Sequence, residues 1–333
     1  MADDVIPDVI GGAIPVTVIG GYLGSGKTTL LNALLRGGHG RRLAVLVNDF
    51  GSINIDADLI TAHGGDTISL ANGCICCSLQ DNLGTTLHSL AARSDPPDQI
   101  VIEASGVANP SRIGHYAMSL PGLHLDAVIV VADAEGIRRQ ARDKYVGDVV
   151  LQQLAAADLL VLTKTDLVAP QVVQEVRQWL ETQVPCVPCV ERGNDQVPPA
   201  LILGLRSELA GPDHGLGCDH EPYEHVHGEE PHDHRFAQVT FTTEEPLDRG
   251  ALVAAIDALP PGVVRAKGIF YLADALGEQV ILQMAGRRRE WQTGEPWGDE
   301  RPYSRLVLIG PRALVDEESL HARLSVLLTP TIE

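Results

Sequence analysis

Near its start the chain runs from an apolar strand through a glycine-rich loop into a helix, and no other feature limits its fold so tightly. Val16-Thr17-Val18-Ile19 reads as the buried strand and Gly21-Tyr22-Leu23-Gly24-Ser25-Gly26-Lys27-Thr28-Thr29 as the loop. Leu30-Leu31-Asn32-Ala33-Leu34-Leu35 continues as a helix that stops at Gly37-Gly38. Glycines let consecutive backbone N–H groups turn inward around phosphate oxygens, and the helix N-terminus adds the positive end of its dipole. Gly21, Gly24, Ser25 and Gly26 are the expected cradle. Lys27 supplies a point charge to the terminal phosphates, the Thr28 hydroxyl can ligate Mg²⁺, and Thr29 closes the motif. The pattern predicts a nucleoside triphosphate site.

Further apolar runs follow at Leu43–Val47, Thr67–Leu70, Gln99–Glu103, Asp126–Val131 and Leu159–Leu162, with a last candidate at Pro185–Val190. Helical segments separate them. Continuous apolar strands alternating with helices predict an α/β fold with a mainly parallel sheet covered on both faces. Ligands in such sheets bind beyond the carboxyl ends of the strands, so the residues just after each strand are the ones to inspect.

Asp49 follows the second strand and Glu103 closes the segment Ile102-Glu103-Ala104-Ser105-Gly106. A carboxylate there can hold Mg²⁺ through its water shell, and the backbone at Ser105-Gly106 can approach a γ-phosphate. Lys27, Asp49 and Glu103 form the expected catalytic set. Thr163-Lys164-Thr165-Asp166 ends another strand. Asp166 can accept hydrogen bonds from guanine N1 and its exocyclic amine while the stem of Lys164 covers the ring. Adenine lacks that donor pair, so GTP is favoured over ATP.

A second cluster, Gly73-Cys74-Ile75-Cys76-Cys77-Ser78, lies just after the third strand. Thiolates bind soft or borderline ions such as Zn²⁺, and Cys74, Cys76 and Cys77 are close enough to converge on one metal. A tetrahedral Zn²⁺ would still lack one ligand, which Asp49, water or an acceptor protein's side chain can provide. An incomplete shell suits delivery better than permanent structure. Cys186-Val187-Pro188-Cys189 has a metal-like spacing too, but on a predicted buried strand it reads as core.

Composition narrows the partners. The chain has 333 residues, 44% of them apolar, enough for two domains. A net charge of −19 opposes nucleic acid and anionic lipid, each of which needs a basic face. Met1-Ala2-Asp3-Asp4 does not resemble a secretory signal, and no apolar run reaches the length of a membrane span. A cytoplasmic protein with six reduced, metal-competent cysteines is the expectation.

The phosphate loop, Cys74-x-Cys76-Cys77, Glu103-Ala-Ser-Gly106 and Thr163-Lys-Thr-Asp166 occur in the order seen in CobW-like metallochaperone GTPases, and the chain resembles that family over nearly its whole length. The resemblance implies a P-loop GTPase domain followed by a smaller α+β C-terminal domain, with GTP turnover controlling metal loading and release. It implies that Cys74, Cys76 and Cys77 carry the cargo site beside the nucleotide. The family usually has Asn in place of Thr163, a change that can weaken guanine affinity while leaving Asp166 to specify the base. It often has Glu in place of Asp49.

The expected layout is a tail over 1–12, the GTPase domain over 13–210, a linker over 211–235 and the C-terminal domain over 236–330. The linker holds six of the twelve histidines, His214, His220, His225, His227, His232 and His234, among acidic residues. Imidazoles and carboxylates at irregular spacing suit a weak, multi-site metal collector rather than a fixed site. Beyond it, Ala237–Phe241, Val263–Phe270, Gln279–Gln283 and Arg305–Gly310 read as strands, and Gly250–Leu259 and Glu317–Leu328 as helices. Arg287-Arg288-Arg289 reads as a solvated strand end.

These features favour a GTP-hydrolysing metallochaperone that passes a transition metal, Zn²⁺ first, to an unidentified acceptor protein. Co²⁺ delivery for cobalamin synthesis or activation of a nitrile hydratase is the alternative. A metal buffer without turnover explains only Cys and His, and a P-loop kinase or ATPase explains only the phosphate loop.

Overall fold

The computed structural model describes residues 13–36, 41–48, 67–70, 79–192, 197–204, 236–298, 301–325 and 327. The first apolar run forms β1 (Ile14–Gly20), and helix α1 (Lys27–Arg36) starts at the lysine of the phosphate loop. The other N-terminal strands are β2 (Leu43–Asn48), β3 (Thr67–Leu70), β4 (Gln99–Glu103), β5 (Leu123–Asp133), β6 (Leu159–Thr163) and β7 (Cys189–Glu191). They form one seven-stranded sheet in the order β3-β2-β4-β1-β5-β6-β7, and every pairing is parallel. The expected α/β architecture is therefore present. The last strand is shorter than the sequence implied, because Cys186 takes a left-handed φ of 64° and turns the chain before Cys189.

Alternation along the strands divides the core. Val16, Val18, Ala44, Leu46, Ile100 and Ile102 face one side, under α2 (Leu79–Ala91), α3 (Pro110–Met118), α4 (Ile137–Arg142), α5 (Gly147–Ala156) and α6 (Pro170–Gln183). Ile19, Val45, Val101 and Ile129 face the other, packed on Leu30, Leu31 and Leu34 of α1 and on α7 (Pro199–Leu203). Val264, Ala285 and Ile309 from the C-terminal part of the chain join this second core.

That part is a five-stranded antiparallel sheet, order β11-β10-β9-β12-β8, of β8 (Phe236–Thr243), β9 (Arg265–Leu272), β10 (Ala275–Ala285), β11 (Arg288–Pro296) and β12 (Ser304–Pro311). Leu252 and Ile256 of α8 (Arg249–Asp257) and Leu320 and Leu324 of α9 (Glu317–Ser325) close its core. The expected smaller α+β domain is present. Strand β11 was missed because its Arg-Arg-Glu-Trp-Gln-Thr run reads as polar surface.

The arginine run opens β11 with Arg287 and Arg289 exposed, as expected, but it also makes a contact the sequence did not announce. Arg288 Nε donates to Asp158 Oδ2 at 2.9 Å and Arg287 donates to the Ala155 carbonyl at 2.6 Å, so the run fastens the C-terminal sheet to the turn before β6. Asp158 is buried there, and the arginines supply its counter-charge. Among the described residues no helix is long and apolar enough to cross a membrane.

Candidate nucleotide site

The phosphate loop leaves β1 at its carboxyl end and turns through glycines that only glycine tolerates. Gly21 has φ 136°, and a Cβ there would stand 2.3 Å from the Val131 carbonyl oxygen of β5. Gly24 and Gly26 also have positive φ. A Ser25 N–H to Tyr22 carbonyl bond of 3.1 Å closes the turn, and Leu30 N–H to Gly26 carbonyl begins α1. Ser25 is buried and Thr29 exposed. Lys27 folds back over the loop, its Nζ donating to the carbonyls of Gly21 at 3.0 Å and Tyr22 at 3.4 Å.

Glu103 ends β4, the strand next to β1, and reaches the first turn of α1. The Thr28 hydroxyl donates to Glu103 Oε1 at 2.8 Å. A hydroxyl and a buried carboxylate side by side at a helix N-terminus are hard oxygen donors, the type that suits Mg²⁺. Just beyond, Gly106 lies against the phosphate loop so closely that a Cβ would meet the Leu23 side chain at 2.5 Å. The buried Gln153 of α5 holds this loop by donating to the carbonyls of Gly106 at 3.1 Å and Ala108 at 2.8 Å.

The third strand end is β6. Thr163 Oγ1 donates to the Ser25 carbonyl at 2.7 Å and lies 3.2 Å from the Ala132 carbonyl, tying the phosphate loop to the Thr-Lys-Thr-Asp element. Lys164 is in the left-handed region at φ 56°, with Nζ 2.7 Å from Oδ2 of the buried Asp133. Asp133 Oδ1 also accepts from the Glu135 N–H at 2.9 Å. Asp166 stands exposed in the short 3-10 turn Thr165–Leu167.

Lys27, Thr28, Glu103, Gly106, Thr163 and Lys164 are thus gathered around one loop. Asp133 and Gln153 were missed by the sequence reading. Asp133 comes two residues after the predicted strand Asp126–Val131, at the edge where ligands bind, so its signal was present, whereas Gln153 lies inside a helix and gave none.

Asp49, Cys74, Cys76, Cys77 and the six linker histidines lie outside the described residues. Among the described residues no three His, Cys, Asp or Glu side chains form a metal-binding group. Cys189 packs against the core, and burial pushes its thiol up to about 12, so it stays protonated and ligates poorly. Cys186 is exposed in the turn, not on the buried strand expected of it.

A parallel sheet with a glycine loop at β1, a Thr–Glu oxygen pair beside it and a Lys-x-Asp element at β6 defines a P-loop nucleotide-binding protein carrying a second, antiparallel domain. The chain belongs to the CobW family of P-loop GTPases. The model of the CobW/HypB/UreG nucleotide-binding domain matches residues 15–191, and that of the cobalamin synthesis protein cobW C-terminal domain matches residues 236–328. Membership makes it a GTPase. It is 32% identical to a zinc chaperone CobW from a Sinorhizobium species, over 95% of this chain and 98% of that one. Identity to a zinc chaperone CobW of Pseudomonas aeruginosa is 31%, over 89% of this chain and 87% of that one. With the zinc chaperone YjiA of Escherichia coli it is 29%, over 93% and 97%.

Proposed function

We propose that this protein is a GTP-driven zinc chaperone of the cytoplasm, loading Zn²⁺ at Cys74, Cys76 and Cys77 and passing it to an acceptor protein. The observation that carries the reading is the Thr28–Glu103 contact of 2.8 Å, which couples the phosphate loop to the end of β4. Strand β2 lies between β4 and β3, and the cysteine motif follows β3 in sequence. Strand β3 ends at Leu70 on the edge where the triphosphate would bind, and the motif begins three residues later in the sequence. Zinc as cargo is supported by the full-length similarity to proteins named zinc chaperones.

In this reading Gly21, Gly24, Ser25 and Gly26 present backbone N–H groups to the phosphates. Lys27 exchanges its two carbonyl contacts for the β- and γ-phosphate oxygens. Thr28 and Glu103 would hold Mg²⁺, whose charge offsets that building on the phosphates. Thr163 keeps the loop in place, Lys164 is set beside the base by Asp133, and Asp166 reads guanine. Asp49 is assigned to the metal or to the hydrolysis step. The linker histidines collect ions weakly.

A γ-phosphate that biases the loops at this edge changes metal affinity, and linkage requires metal to favour GTP in return. Competition with a chelating dye tests this, run with a non-hydrolysable GTP analogue and then with GDP. Tighter Zn²⁺ binding in one nucleotide state supports the cycle. Identical affinity would leave a GTPase with a metal site and no chaperone function.

A further inference from the structure

A cavity of about 430 Å³ opens at the amino edge of the parallel sheet, the edge opposite the phosphate loop. Both domains wall it. His124 and Asp126 come from β5 and Arg41 from the residues before β2, while Arg265 and Lys267 come from β9. Its volume is in the range of small-molecule sites.

The charges in this cavity do not cancel. Three cations, Arg41, Arg265 and Lys267, face two carboxylates, Asp98 and Asp126. Asp126 is taken by Arg265, which grips both its oxygens at 2.9 and 3.0 Å. Asp98 turns to Arg42 at 3.1 Å. Lys267 forms no hydrogen bond or ion pair among the described residues. Burial lowers its pKa first, repulsion from Arg41 lowers it further and Asp126 pulls the other way, so a partly exposed ammonium stands in net positive surroundings. His124 is 8% exposed. Its Nδ1 lies 3.2 Å from the Ala13 carbonyl, to which it can only donate, and its Nε2 is buried with no hydrogen-bond partner among the described residues. A buried nitrogen without a partner among the described residues is costly, and a part-buried ammonium lines the same cavity, so a single bound phosphate would meet both.

We propose that this interdomain cavity is a binding site for a phosphate group, with Lys267 as its point charge and His124 Nε2 as a directional contact. Lysine serves phosphate as a compact charge, and Nε2 can accept from a phosphate O–H or donate to a phosphate oxygen as imidazolium. Arg41 adds positive potential, and the Arg265–Asp126 pair closes the floor. The cavity is larger than a lone phosphate requires, so a phosphate ester fits as well as the free ion. Because strands of both domains contribute, an occupant binds the folded, docked arrangement and stabilises it by mass action.

Full-length protein is loaded with a non-hydrolysable GTP analogue so that the phosphate loop is filled. Inorganic phosphate and glycerol 3-phosphate are then titrated separately by calorimetry, and the melting temperature is followed. Binding of either probe with a matching rise in melting temperature is expected, and the stronger probe distinguishes ion from ester. Lys267→Met should weaken that binding about tenfold or more. His124→Asn, which can still donate to Ala13, should weaken it less. Both variants should hydrolyse GTP like the unmodified chain. No binding at millimolar probe, or equal binding in Lys267→Met, would overturn the assignment. The probe-dependent increment is read within each variant, so a change in its basal stability does not obscure the result.

Discussion

Arg265 and Asp126 are an ion pair sealed between two domains: the guanidinium, 2% exposed, grips both carboxylate oxygens at 2.9 and 3.0 Å. Arg265 begins β9 of the antiparallel sheet and Asp126 belongs to β5 of the parallel one. Arg265 also donates to the carbonyls of Leu201 at 2.9 Å and Ile202 at 2.8 Å, and Thr17 Oγ1 donates to Asp126 at 3.1 Å. Every partner of the pair is thus in place, the condition under which a buried ion pair is tolerated.

Removing one partner should cost far more than the pair contributes. Asp126→Asn leaves a buried guanidinium without its counter-charge, and a loss of about 3–5 kcal/mol in unfolding free energy is expected. Arg265→Met with Asp126→Leu should recover most of that loss, because no charge is then stranded. Urea unfolding of the three proteins checks this, and a loss in the double variant as large as that of Asp126→Asn would refute it.

The same pair sets an acid limit. Burial would raise the Asp126 carboxyl, but Arg265 outweighs it and holds the group below its ordinary range. A folded-state pKa below the unfolded one contributes stability above the unfolded value and loses it as pH falls through the folded value. Stability of the unmodified protein should therefore drop below the ordinary aspartate range, and Asp126→Asn should flatten that limb. An unchanged acid limb in urea midpoints measured against pH would exclude Asp126 as its source.

The seam shows what the sequence could and could not convey. Gln99 opens β4, Thr17 lies at the middle of β1 and Asp126 in the first half of β5, and their polarity within apolar runs was visible without showing what it serves. Their purpose depends on Arg265, 139 positions from Asp126. No local signal joins such distant positions. The phosphate loop, by contrast, was legible because its chemistry lies in consecutive residues. Glu103 was legible because strand ends at one edge of a parallel sheet share a location. Lys164 was singled out as the residue covering the guanine ring, but its ion pair with Asp133 needs two strand ends at once.

Lys27→Ala should reduce GTP hydrolysis by roughly 100-fold or more, since one preorganised charge at the β/γ oxygens is lost. Triphosphate affinity should fall more than diphosphate affinity. Steady-state turnover with nucleotide titrations checks both, and turnover equal to the unmodified protein removes Lys27 from the site.

Thr163→Val keeps the shape of the side chain and deletes the hydroxyl that reaches the Ser25 carbonyl. A buried carbonyl losing its donor costs about 1–3 kcal/mol. Part of that should appear as weaker GTP binding, because the loop loses its tie to β6. Asp166→Asn should act differently, narrowing the preference for GTP over ATP without loosening the loop. Calorimetry with both nucleotides separates the two effects; equal ATP and GTP affinity in the unmodified chain would end the guanine assignment.

The metal features can be divided in the same way. Cys76→Ser or Cys77→Ser replaces a soft thiolate with a poor hydroxyl ligand, so tight Zn²⁺ or Co²⁺ binding in the Mg²⁺·GTP form should fall sharply. Deleting residues 214–234, which carry His214, His220, His225, His227, His232 and His234, should reduce only the number of weakly held ions. GTP hydrolysis should survive both changes, because neither alters Lys27, Thr28 or Glu103. Metal content after dialysis, read alongside dye competition, gives the two populations separately. Loss of the tight ion on deleting the histidine segment, with the cysteines intact, would move the cargo site out of the Cys74–Cys77 motif and into the linker.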